Sequence, residues 1–167
     1  MNELSTMYPE DKNEFYQLLN SQLKALLVNE TYMLPNLCNA SALLGVALQD
    51  INWVGFYLMQ HNELLLGPFQ GKPACIHIPL GKGVCGSAVS KNETQRIADV
   101  HAFPGHIACD SASRSELVIP IRYLGQIMGV LDIDSPILSR FDEIDQKGLE
   151  EFVDILAKAH PWPPLID

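Results

Sequence analysis

The 167-residue chain has no cluster of lysine or arginine: eleven basic residues face twenty acidic ones, for a net charge of −9. A surface of that sign repels a phosphate backbone, which argues against nucleic acid as a partner. The opening residues, Met-Asn-Glu-Leu-Ser, supply neither the basic stretch nor the apolar run of an export signal, so a cytoplasmic location is expected. Repeats and low-complexity segments are absent. No two cysteines are spaced for one turn to deliver both to a zinc ion. Between Glu30 and Asp50 there is no charge at all, a length that would span a bilayer. Pro35, Asn36, Asn39, Ser41 and Gln49 interrupt it, and polar side chains are costly in hydrocarbon. A helix buried in a protein core is the expectation.

Apolar residues make up 47% of the chain and charged residues 19%, a balance that builds one globular domain over residues 1–167. Phe15, Leu18, Leu19, Leu23, Leu26 and Leu27 recur at helical steps, and Pro9, Glu10 and Asp11 suit a first turn. A second helix is expected over 34–48. The run NWVGFYLMQ, residues 52–60, reads as a strand that turns at His61-Asn62 and returns over 64–66, where Gly67-Pro68 stops it. Short strands are expected over 75–78 and 96–98, with a glycine loop leading into a short helix between them. Two apolar arms, 115–123 and 126–134, form a hairpin around Leu124-Gly125. Asp142, with Asp145 three residues on, caps a last helix bearing Leu149, Phe152, Val153 and Leu156. The order implies an α+β fold with helices packed on a mostly antiparallel sheet.

Three cysteines, Cys75, Cys85 and Cys109, stand among glycines and small polar residues. Spaced thiols in a reducing compartment are seldom structural disulfides; they point to metal binding or redox chemistry. For a metal, the best start is Cys75-x-His77 on one strand face, with Cys85, His101, His106 and Cys109 to complete it, but those spacings are irregular. Redox chemistry needs one activated thiolate and a partner thiol. Cys109 is the better nucleophile candidate, in an open loop where His106 or Arg114 would favour the thiolate, and either Cys75 or Cys85 would resolve it. Cys38, inside an apolar helix, is expected to be a small buried hydrophobe.

Carboxylates complete the pattern. Asp132 and Asp134 lie two apart on an apolar strand, hence on one face, and Glu116 opens the partner arm. Acids gathered in that way raise one another's pKa, leaving one protonated near neutrality. A neutral carboxyl donates a proton, and a carboxylate binds an ammonium group.

The segments WVGFYL, LGPFQGKPAC, GKGVCG, FPGHIACD, SRSELVIPI and GVLDIDSP occur in that order over residues 53–135. Together they resemble the free methionine-(R)-sulfoxide reductases, which are single GAF domains. The resemblance implies a six-stranded antiparallel sheet with helices on one side, a homodimer, and reduction of free methionine-(R)-sulfoxide. It implies that Cys109 is the nucleophile, Cys75 the main resolving thiol and Cys85 an alternative one. Glu116, Asp132 and Asp134 match the family's substrate-binding acids, and Trp53 and Tyr57 its pocket aromatics. Turnover would need no metal or organic cofactor, only a thioredoxin-type donor. The alternative is a GAF module that senses a small molecule without chemistry, which the presence of all three oxidisable thiols disfavours.

Overall fold

The computed structural model describes residues 8–105 and 110–163. Cys109 and His106 therefore lie outside the described residues. In chain order the elements are α1 (Lys12–Leu27), α2 (Met33–Ala47), β1 (Trp53–Gln60), β2 (Glu63–Gly71), β3 (His77–Pro79), α3 (Gly83–Lys91), β4 (Gln95–Ile97), β5 (Ser115–Tyr123), β6 (Gln126–Ser135) and α4 (Glu143–Lys158). The strands form one six-stranded sheet in the order β3-β2-β1-β6-β5-β4, and each adjacent pair is antiparallel.

Side-chain alternation divides this sheet into two chemically different faces. Val54 and Phe56 of β1, Leu117, Ile119 and Ile121 of β5, and Leu131 and Ile133 of β6 turn one way. There they meet Leu19 and Leu23 of α1, Leu37 and Leu44 of α2, and Phe152 and Leu156 of α4 in the main core. Trp53, Tyr57, Val118 and Val130 turn the other way and pack with Val84, Cys85 and Ala88 of α3. The helices are thus not all on one side: α3 alone covers the second face, because its short apolar stripe is held there by the turns around Gly81 and Gly83, both at positive φ.

The main-core helices are fastened at α1 and α4. Gly148 lets them close, since a Cβ there would sit 2.2 Å from the Tyr16 ring. Asp142 caps α4 as expected, in a reciprocal box with Asp145. Asp145 does more than cap. It accepts from the Tyr16 hydroxyl at 2.9 Å and pairs with Lys12 at 2.7 Å and Arg140 at 3.3 Å.

Several expectations need correction. The buried side of α1 is Tyr16, Leu19, Asn20 and Leu23, while Leu26 is exposed; Asp11 is the N-cap, so Pro9–Asp11 precede the helix. Cys38 is exposed, because α2 buries the stripe Asn36, Leu37, Ala40, Ser41 and Leu44 instead. The strand after the first turn does not end at Gly67-Pro68. Those two residues bulge opposite the single residue Phe56, and pairing resumes at Gly55 with Phe69. The short strand begins at His77, so Cys75 precedes it. Among the described residues no helix is long and apolar enough to cross a membrane.

Candidate active site

The second face of the sheet carries the acids. In the ladder, Asp134 of β6 lies between Trp53 of β1 and Glu116 of β5, and Asp132 lies between Gly55 and Val118. Asp132 and Asp134 do share a face, and Glu116 joins them across the hairpin.

Trp53 forms one wall. Its indole N–H donates to the Lys72 carbonyl at 3.1 Å, and its ring stacks on Phe69 and Tyr57 with centroids 5.2 and 5.8 Å away. Gly55 permits this: a Cβ there would lie 2.3 Å from the Phe69 Cβ and 2.7 Å from the Trp53 ring. The Tyr57 hydroxyl donates to the Cys75 carbonyl at 3.0 Å, which holds the loop carrying that cysteine against the same face. Burial, and after it the charge of Asp132, pushes the Tyr57 pKa up, so the phenol stays a neutral donor. Cys75 is disulfide-bonded, whereas Cys38 and Cys85 are free thiols.

Glu116 and Asp132 are each only 6% exposed, and α3 lowers Cys85 onto them. The sulfur and one oxygen from each carboxyl all lie within 4.8 Å of one another. Among the described residues no lysine, arginine or histidine forms an ion pair with Glu116, Asp132 or Asp134. Burial therefore dominates their titration. It lifts Glu116 well above the carboxylate range, helped by the charges of Asp132 and Asp134 and by a hydrogen bond with Asp132. Asp132 rises to about 6, again through burial, with hydrogen bonds from Cys85 and Glu116 pulling the other way. Asp134, half-buried, is raised by burial and then by Asp132, against a hydrogen bond from Ser113. The Cys85 thiol is raised by burial and by the acids around it. Burial thus biases all three acids toward the neutral form, Glu116 and Asp134 well above the carboxylate range and Asp132 to about 6. Asp132 Oδ1 is buried and has no hydrogen-bond partner among the described residues.

Supporting residues that sequence reasoning passed over frame the site. Asp110 accepts from the Asn52 amide at 3.1 Å and the Ala112 N–H at 2.9 Å, and faces Lys72 Nζ at 3.5 Å. These contacts tie the residue after Cys109 to the start of β1 and to the loop before Cys75. The available signal was the Asp-x-Ala turn pattern in an otherwise small-residue loop. Of the other residues weighed, Arg114 is exposed. His77 is exposed and pairs with Glu63, and His101 is exposed beside Asp99. Among the described residues, the one set of donors close enough to hold a metal ion is Cys85, Glu116 and Asp132, and it contains no histidine.

Known proteins resemble this chain over most of its length. The GAF domain family profile matches residues 23–160. A free methionine-R-sulfoxide reductase of Escherichia coli is 55% identical over 148 residues, covering 89% of this chain and 90% of that protein. A reduced-form fRMsr structure of Staphylococcus aureus is 58% identical with a TM-score of 0.85, over 86% of this chain and 94% of that one. The free methionine-R-sulfoxide reductase of Neisseria meningitidis, solved in complex with its substrate, is 45% identical with a TM-score of 0.87, over 90% of this chain and 91% of that one.

Proposed function

The chain belongs to the free methionine-R-sulfoxide reductase family of GAF domains, and on that premise we propose that it reduces free methionine-R-sulfoxide to methionine with its own thiols. The observation that carries the reading is the trio of acids beside Trp53 and Tyr57, two of them buried, which no described cation pairs and in which Asp132 Oδ1 has no hydrogen-bond partner among the described residues.

A sulfoxide oxygen leaves sulfur only when it is protonated. Glu116, kept neutral by burial, supplies that proton as the Cys109 thiolate attacks the sulfur. The sulfur–oxygen bond of the substrate breaks, methionine departs as the thioether, and the oxygen ends on Cys109 as a sulfenic acid. The face of Trp53 seats the methyl group and stabilises the positive charge that develops at sulfur. Asp132 and Asp134 receive the α-ammonium group, which a methionine within a peptide chain lacks. Cys75 then condenses with the sulfenic acid, releasing water and forming the disulfide. A thioredoxin-type dithiol reduces that disulfide by exchange. Cys85 serves as the alternative resolving thiol only so far as it can ionise, which its burial opposes. The scheme calls for no metal or organic cofactor, suits a reducing cytoplasm, and is compatible with a homodimer.

The test is to mix the reduced protein with each epimer of free methionine sulfoxide and follow methionine release and thiol loss by mass spectrometry. The R epimer should give methionine with loss of two thiols, and the S epimer should give neither. Cys109→Ser should abolish the reaction, and Cys75→Ser should stop after one turnover with the sulfenic acid in place. Binding without thiol loss would replace this reading with a GAF sensor module.

A further inference from the structure

Cys85 is a buried thiol whose geometry points away from thiol exchange. It lies on α3, a different element from the strands that bear Glu116 and Asp132, yet its sulfur comes within 4.8 Å of an oxygen of each. It is 4% exposed and free. A nucleophilic thiol needs access and a cation or helix N-terminus to favour its thiolate. Cys85 is the third residue of α3, where the helix N-terminus favours a thiolate, but burial and the two acids beside it outweigh that and raise the thiol, so it remains S–H.

A protonated thiol beside a carboxylate is a donor. We propose that Cys85 is a positioning residue: its S–H, together with the Glu116 hydroxyl, holds one side of the Asp132 carboxylate and leaves Oδ1 turned to the substrate's ammonium group. This assignment rests on the function proposed above, and it adds to that function a role for a thiol that need not be oxidised. Two neutral donors on one carboxylate keep a single negative charge where no cation among the described residues balances more. That single charge matches the single ammonium group of a free amino acid. A thiol and a neutral carboxyl within 4.8 Å of Asp132 favour its ionised form, against the burial that raises it.

The inference separates the side chains that alanine and serine would leave at this position. Serine keeps a donor and loses the thiol; alanine loses both. In Cys85→Ala the Asp132 carboxyl should titrate about one unit higher by carboxyl-carbon NMR, because a donor to its charged form is gone. The acid limb of kcat/KM should move to higher pH with it, and KM for the sulfoxide should rise about tenfold while kcat changes little. Cys85→Ser should recover most of the KM loss. An equal loss in both variants would make Cys85 a redox thiol, and an unshifted Asp132 titration in Cys85→Ala would remove the hydrogen bond; either overturns the proposal. Should Cys85→Ala fold poorly, infrared spectroscopy decides instead. The S–H stretch lost in Cys85→Ser should lie at a hydrogen-bonded frequency in the wild-type chain and move upward in Asp132→Asn; an unmoved band overturns the proposal. The NMR and infrared measurements need no turnover. If the wild-type chain were inactive on methionine sulfoxide while the Asp132 shift appeared as described, the proposed function would fall and the contact would stand.

Discussion

Asp145 and Asp132 are similarly hidden, 1% and 6% exposed, on opposite faces of one sheet, and their surroundings could hardly differ more. Around Asp145 the fold gathers two cations, a phenol and a backbone N–H. Lys12 and Arg140 pair with Oδ2, Tyr16 donates to Oδ1, and the Asp142 N–H closes the capping box. Around Asp132 it gathers a thiol and another acid, and among the described residues one oxygen has no hydrogen-bond partner. Taking a carboxylate out of water costs several kcal/mol, which Asp145 recovers through its partners and Asp132 does not. Such a cost on one side of the sheet, in a fold that satisfies a buried acid on the other, supports the proposal that Asp132 receives the substrate's ammonium group.

The largest contrast should appear on replacing one acid of each cluster by its amide. Glu116→Gln keeps the shape and the hydrogen bond to Asp132 but removes the transferable proton. Turnover of methionine-R-sulfoxide should fall about 10²–10⁴-fold, the usual range for a general acid. The unfolding midpoint should hold or rise, since an acid that resists ionisation inside gives way to a neutral amide. A parallel collapse of activity and midpoint would make Glu116 a packing residue and erase the distinction between the two clusters.

The converse substitution is Asp145→Asn. It strands Lys12 and Arg140 beside a neutral group and weakens the cap, and breaking a buried pair by removing one partner costs about 3–5 kcal/mol. Denaturant unfolding should show that loss, while the folded fraction keeps its kcat and KM. A loss below about 1 kcal/mol would mean that the pairs behave like surface ion pairs.

How far each cluster could be read from the chain follows from the distances involved. Strand alternation is local, so Asp132 and Asp134 on one face needed only their spacing, and the Leu124-Gly125 turn brought Glu116 to them. The cap from Asp142 to Asp145 was equally local. The hub at Asp145 was not, because Lys12 and Tyr16 come from more than a hundred residues away and nothing in their own segment announces a buried acid. Gly67-Pro68 misled because the pair that ends most strands also builds a bulge when the partner offers one residue to its two. The position of Cys85 against the acids depended on α3 crossing to the far face, which a nine-residue helix gives no periodicity to reveal. Cys38 was misjudged because α2 carries no charge to mark its outer side and turns Asn36 and Ser41 inward.

The smallest effect, and the one that tests both clusters at once, is the pH dependence of stability. Asp132 ionises near 4 when unfolded and is raised to about 6 in the fold. Below pH 4 both states are protonated and its contribution is intact. As pH climbs from about 4 through 6 the unfolded chain sheds the proton first, so stability falls, by something on the order of 1–3 kcal/mol. Asp142, beside the Asp145 hub, runs the other way. Burial, which would raise it, is outweighed by hydrogen bonds from Lys12 and the Asp145 N–H, and its pKa drops to about 2. Its contribution is present above pH 4 and lost as pH falls toward 2, and its solvent exposure keeps that loss small. Unfolding free energies measured across this range should therefore pass through a maximum near pH 4 and decline on both sides. Asp132→Asn should make the branch above pH 4 shallower, with Glu116 and Asp134, which burial also raises, carrying the decline that remains, and leave the acid branch unchanged. A branch as steep in Asp132→Asn as in the wild-type chain would remove Asp132 from the penalty.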